Sequence, residues 1–153
     1  MKKIELLFEN LKKVGFEIKK KKISERSIYL ELELDRTSVR LEATFQKILG
    51  VICDYEMSDG NIISIYSLTP KSFLIEKSNT YLKRFKVRDL WDVFFLLKLV
   101  DKPNAIKEIG LLIKNYKNPI DEPDLKVILL EGIVPTAEEM ILYIKQKWEN
   151  KYI

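Results

Sequence analysis

Residues Glu76–Leu97 read E-K-S-N-T-Y-L-K-R-F-K-V-R-D-L-W-D-V-F-F-L-L. Lys77, Arg84, Arg88, Asp89 and Asp92 stand just ahead of the apolar run Val93 to Leu97. On a continuous helix, Lys77, Tyr81, Arg84 and Arg88 follow one another at spacings of four, three and four, which lays them along one face and gathers three cations there. A break near Phe85 to Val87 fits equally well, because Arg88 and Asp89 have the look of first-turn residues of a new helix. The cations would then flank a helix N-terminus, whose free backbone N–H groups also attract anions. Asp89 and Asp92, three apart on a largely apolar helix, need a cation or hydrogen-bond donors to remain ionised. Two readings stay open. The charges form an ion-pair network locking two helices together, with Arg84 reaching Asp89 and Arg88 reaching Asp92, or they line a pocket for a polyanion such as phosphate.

Working outward, Thr69 suits an N-cap and Pro70 a first helical turn, so a helix is expected from there to about Lys83, and a second, apolar on most sides, from about Val87 to Val100. Asp101 and Pro103 punctuate a further helix running to about Tyr116. Pro119, Asp121 and Pro123 precede another that reaches about Glu131. Pro135-Thr136 followed by Glu139 has the form of a capping box, and Ile141, Ile144 and Trp148 supply the apolar face of a last helix.

Upstream, Ile4, Leu7, Phe8, Leu11 and Val14 recur at helical spacing and stop at Gly15, a helix terminator. The period then changes to two. Ile28, Leu30, Leu32 and Leu34 alternate with Tyr29, Glu31 and Glu33; Val39, Leu41, Ala43 and Phe45 alternate with Arg40, Glu42 and Thr44, so a hairpin is expected around Asp35-Arg36-Thr37-Ser38. Phe16 to Lys22 adds a flanking strand, and Ile62 to Tyr66 another after the turn cluster Ser58-Asp59-Gly60-Asn61. The expected architecture is α+β: a helix with a small mixed or antiparallel sheet over residues 1–68, then a helical bundle over 69–153 packed on it as one unit.

The chain has 153 residues, 46% apolar and 33% charged, a globular composition with room for one core. It has no histidine and a single cysteine, Cys53, which excludes intrachain disulfides, zinc fingers and every His-dependent triad. Any catalysis must use carboxylates, Lys, Arg or hydroxyls. Apolar runs are too short to cross a bilayer and the N-terminus lacks signal-peptide form, so no membrane association and a cytoplasmic location are expected. The net charge is +4, with a block at Lys19–Lys22 and Arg26 beyond. That block either meets nucleic-acid phosphates or guards a solvated edge strand. Glu42, on the polar side of its strand, is either simply solvated or a third carboxylate of a site. Glu31, Glu33 and Asp35 have chelating spacing, but any half-solvated strand shows such alternation.

The register of Glu76-Lys77, Arg84, Arg88-Asp89 and Asp92 ahead of Leu-Trp-Asp-Val-Phe-Phe-Leu-Leu resembles the C-terminal signature of the AbiEii/AbiGii toxin family, which is nucleotidyltransferase-like; Thr80 stands where the family has alanine. The Leu-x-x-x-Gly-Phe phrase ending at Phe16 and the strand Val39–Ala43 extend the likeness over roughly residues 5–100. The resemblance implies a partial nucleotidyltransferase sheet flanked by helices, a nucleoside triphosphate with Mg2+, and a toxin-antitoxin or phage-defence setting. By that resemblance Lys77 would contact the triphosphate and Arg84 and Arg88 would position anionic groups. Asp89 or Asp92 would orient substrate or assist proton transfer, and Glu42 would be the third carboxylate and metal ligand. The family's Gly-Ser…D-x-D element is missing: none of Gly15, Gly50, Gly60, Gly110 or Gly132 begins it. The resemblance therefore implies an incomplete enzyme, inactive alone, that is either completed by a second chain carrying that element or survives as a catalytically dead binder. The alternative is a non-enzymatic interaction protein, antitoxin-like or RNA-associated, whose charged cluster is a structural salt network.

Overall fold

Helix α1 (Lys2–Lys13) ends in a Schellman motif. Phe16 N–H donates to Leu11 C=O and Gly15 N–H to Lys12 C=O, both at 3.0 Å, with Gly15 at φ +94°, a conformation that costs a residue without Cβ almost nothing. Three antiparallel strands follow in the order β1 (Glu17–Ile23), β2 (Ser27–Leu34), β3 (Thr37–Thr44). Leu34 pairs with Thr37, so the β2–β3 turn has two residues, Asp35 and Arg36, and both carry the positive φ that a primed hairpin turn demands. The alternation of β2 does what period two requires: Ile28, Leu30 and Leu32 are buried, and Ile4, Phe8 and Leu11 of α1 pack against them with Phe16, Ile18 and Leu41. The computed structural model describes residues 2–45, 47, 49–129 and 131–149, and its contacts divide the chain into two units, residues 1–48 and 49–153.

The second unit opens with a two-stranded hairpin of β4 (Val51–Glu56) and β5 (Ile62–Ser67). Here the sequence expectation is corrected: Ile62 to Tyr66 is a strand, but it pairs with the unanticipated β4 and not with the first sheet. The hairpin belongs with the helices in residues 49–153, so the division falls ahead of the period switch near residue 68.

Helix α2 (Pro70–Arg84) starts as expected, with Thr69 Oγ1 accepting from Ser72 N–H at 3.1 Å. Helix α3 (Val87–Leu96) is shorter than its apolar pattern suggested and tightens into a 3₁₀ turn over Leu97–Leu99. A 3₁₀ turn at Pro103–Ala105 precedes α4 (Lys107–Lys114). The helix expected up to about Glu131 is only a 3₁₀ turn, Glu122–Asp124, and a single helical turn, α5 (Leu125–Ile128). Helix α6 (Ala137–Glu149) closes the unit. Leu74, Tyr81, Leu90, Val93, Ile109, Leu112, Met140 and Ile144 form its buried core. Gly110 lets α4 and α6 approach, since a Cβ there would stand 2.9 Å from Cζ2 of Trp148. No helix among the described residues is long and apolar enough to cross a membrane.

The capping box of α6 is complete. Thr136 N–H donates to Glu139 Oε2 at 2.7 Å, and Glu139 N–H donates to Thr136 Oγ1 at 3.2 Å. The hydrogen bonds that the Glu139 carboxylate accepts from the Thr136 N–H and hydroxyl hold it below its ordinary value, and a depressed carboxylate contributes stability above its unfolded value that is lost as pH falls through the folded one. Losing the Thr136 N-cap in Thr136→Ala is expected to cost about 1 kcal/mol near neutral pH. In urea titrations the gap between wild type and variant should shrink as pH falls through the folded-state value of Glu139 and the carboxylate loses its charge.

Candidate functional site

The α2–α3 junction is built on an unusual residue. Phe85 adopts the left-handed conformation (φ 50°, ψ 45°) at the end of α2, and its N–H donates to Tyr81 C=O at 2.7 Å. A bulky side chain pays for such a backbone, and packing holds it there: the Phe85 ring meets Tyr81 edge-on, with centroids 5.7 Å apart. The break separates Arg88, on α3, from Lys77 and Arg84, on α2, and Tyr81 turns into the core. The continuous cationic face is thus replaced by two helices whose charges meet across a corner.

Asp89 is fully buried in the first turn of α3, where the helix dipole favours an anion. Arg84 grips it with both arms of its fork: Nε to Oδ2 at 2.6 Å and Nη2 to Oδ1 at 2.8 Å. These bonds to Asp89 hold the Arg84 guanidinium above its ordinary range. Lys77 Nζ lies 2.6 Å from Asp92 Oδ2 and 4.0 Å from Asp89 Oδ1. The side chains of Lys77, Asp92 and Arg84 are 35%, 36% and 42% exposed, so the network has a buried anion at its centre and a wet rim. Among the described residues, the exposed Arg88 side chain makes no hydrogen bond or ion pair. Asp92 is therefore held by Lys77 and not, as the spacing suggested, by Arg88.

Two carboxylates of the 116–122 loop finish the corner. Asp121 Oδ1 accepts from Val87 N–H, capping α3 at 2.7 Å, while its Oδ2 lies 3.4 Å from Lys86 Nζ. Glu122 Oε1 accepts from Ala137 N–H at 2.7 Å, at the start of α6. Ile120 N–H donates to Phe85 C=O at 2.9 Å, and Tyr81 OH to Lys117 C=O at 2.6 Å. Burial pushes the Tyr81 hydroxyl far above the ordinary phenol range, so it stays a donor. The sequence marks Asp121 only as punctuation ahead of the next helix and Glu122 not at all, since both cap helices that are distant along the chain.

No protein-family model, curated protein or solved structure matches this chain. The site has to be judged on its own geometry. Glu42 lies on β3 in the first unit, 3.7 Å from Arg40 and mostly exposed. Glu31 accepts from Tyr29 OH and lies 3.9 Å from Lys20, and Glu33 lies 3.4 Å from Lys19, so these alternating carboxylates serve their own sheet. The lysine block occupies β1, an edge strand, with Lys21 placed over the Phe8 ring.

The donor set does not suit Mg2+. The cation wants several oxygens in near-octahedral order, but both oxygens of Asp89 are engaged by Arg84 and one of Asp92 by Lys77. Among the described residues no three acidic, Cys or His side chains are placed to hold a metal.

Proposed function

We propose that this chain is a non-enzymatic interaction protein in which Lys77, Arg84, Asp89 and Asp92 are a structural lock between α2 and α3. The bidentate Arg84–Asp89 pair carries this reading. A catalytic carboxylate needs a free oxygen within reach of a reacting proton or metal, and Asp89 has neither a free oxygen nor access to solvent. Lys77, the residue that would meet a triphosphate, spends its charge on Asp92.

Calorimetric titration with ATP and GTP, each with Mg2+, tests it. The expected trace is flat for wild type and for Lys77→Ala, and the variant loses about 1 kcal/mol or less in a urea melt, as befits a pair with a wet rim. Saturable, Mg2+-dependent binding that Lys77→Ala abolishes would overturn the proposal.

One observation favours the second reading, an incomplete AbiEii-like nucleotidyltransferase completed by a partner chain. The cluster carries three cations against two carboxylates, and exposed Arg88 at the start of α3 is uncommitted. Under that reading the partner supplies the metal-binding carboxylates, and nucleotide affinity must fall in Arg88→Ala.

A further inference from the structure

The hairpin β4–β5 is a sheet without support. Ile52 opposes Tyr66, Asp54 opposes Ser64 and Glu56 opposes Ile62, and these pairs share one face. On that face Ile52, Ile62 and Tyr66 are 76%, 69% and 68% exposed. The intervening pairs, Val51 with Ser67, Cys53 with Ile65 and Tyr55 with Ile63, form the other face, which has no charge at all. A lone two-stranded hairpin is at best marginal in water, and among the described residues no third strand pairs with either edge. Open edges presenting aliphatic side chains are templates for another strand.

Charge identifies which edge and what kind of strand. Residues 49–67 contain Asp54, Glu56 and Asp59 and not one Lys or Arg. Asp59 is occupied in the turn, where it accepts from the backbone N–H and side-chain amide of Asn61, which hold its carboxyl below the ordinary range. Asp54 receives only a 3.3 Å hydrogen bond from Ser64 Oγ, and Glu56 makes no ion pair among the described residues. Both free carboxylates are on β4. Two copies joined along β4 would bring four carboxylates onto one face with no cation among them, and like charges facing across strands repel. Pairing of β4 with the β4 of a second copy is thereby disfavoured, and a basic strand is matched.

We infer that the free edge of β4 receives an extended segment of a partner protein, with Lys or Arg beside Asp54 and Glu56 and aliphatic residues beside Val51, Cys53 and Tyr55. This rests on the interaction-protein reading and names its surface and the chemistry of its partner. Backbone hydrogen bonds supply the affinity of such strand addition, and the side-chain alternation supplies the selectivity.

A labelled probe, Ac-Lys-Val-Lys-Val-Thr-Val-NH2, titrated with the full chain and followed by fluorescence anisotropy, should bind saturably and weaken as salt rises. Its glutamate counterpart, with Glu at both lysine positions, should not bind. In the double variant Asp54→Lys, Glu56→Lys the preference should invert, with a loss of about tenfold or more for the lysine probe. A thermal melt of the variant, expected to match wild type because both sites are exposed, confirms that folding is not at issue. Equal binding of the two probes, or none, overturns the inference. So does a dimer in light scattering that Ile52→Lys dissolves, since the edge would then belong to a second copy. The nucleotide titration is independent: if it stays flat while the lysine probe fails, only the surface assignment falls.

Discussion

Arg84→Ala is expected to cost more stability than Asp89→Ala, although the two residues make the same pair of hydrogen bonds. Removing the arginine strands a carboxylate that is fully buried, and among the described residues only Lys77, 4.0 Å away, remains paired with it. Breaking a buried pair in that sense costs about 3–5 kcal/mol. Removing the aspartate strands only Arg84, which is 42% exposed and can swing its guanidinium into water, so the loss should be nearer about 1–3 kcal/mol. Urea denaturation of both variants at neutral pH measures the asymmetry. A double replacement by leucine, Arg84→Leu with Asp89→Leu, should recover most of the loss, because it removes the charge and its partner together. Equal costs for the two single variants would mean that Asp89 is far better hydrated than its burial implies.

Tyr81→Ala is expected to be as damaging as Arg84→Ala, at about 3–5 kcal/mol. The ring is fully buried, meets Phe85 edge-on and lies parallel to Tyr116 with centroids 6.2 Å apart. Its loss opens a cavity beside Phe85, whose left-handed backbone is held by that packing. Tyr81→Phe separates the contributions: the ring remains, the hydrogen bond to Lys117 C=O goes, and the cost should be about 1 kcal/mol. Thermal unfolding of the three proteins distinguishes them. Near-equal midpoints for Tyr81→Phe and Tyr81→Ala would show that the hydroxyl, not the ring, organises the corner.

The first unit was legible because α1, β2 and β3 each obey one period in sequence. Ile28, Leu30 and Leu32 face a helix whose Ile4, Phe8 and Leu11 recur at the complementary spacing, and Gly15 marks the stop. Strand β4 was not legible for the opposite reason. Val51-Ile52-Cys53 and Ile62-Ile63 place apolar side chains on both faces of the hairpin, which erases the alternation that distinguishes an inside from an outside. In the candidate site, the spacing pointed correctly to Arg84 with Asp89. It gave the wrong cation for Asp92, because the turn between α2 and α3 is made by a phenylalanine in a conformation normally left to glycine, and no local rule announces that. The caps from Asp121 and Glu122 are long-range contacts, invisible to any window along the chain. The charge cluster was seen; whether its members neutralise one another depends on the angle of the corner.

The loop around Asp121 and Glu122 behaves more like a rivet than a connector. Most connecting segments can be lengthened or opened with little harm, but here two neighbouring carboxylates close the starts of helices that are 50 residues apart in number, α3 at Val87 and α6 at Ala137. Anyone inserting a fluorophore, an affinity tag or new termini into this protein should leave that segment whole and use the turn at residues 57–61, which joins only its own two strands.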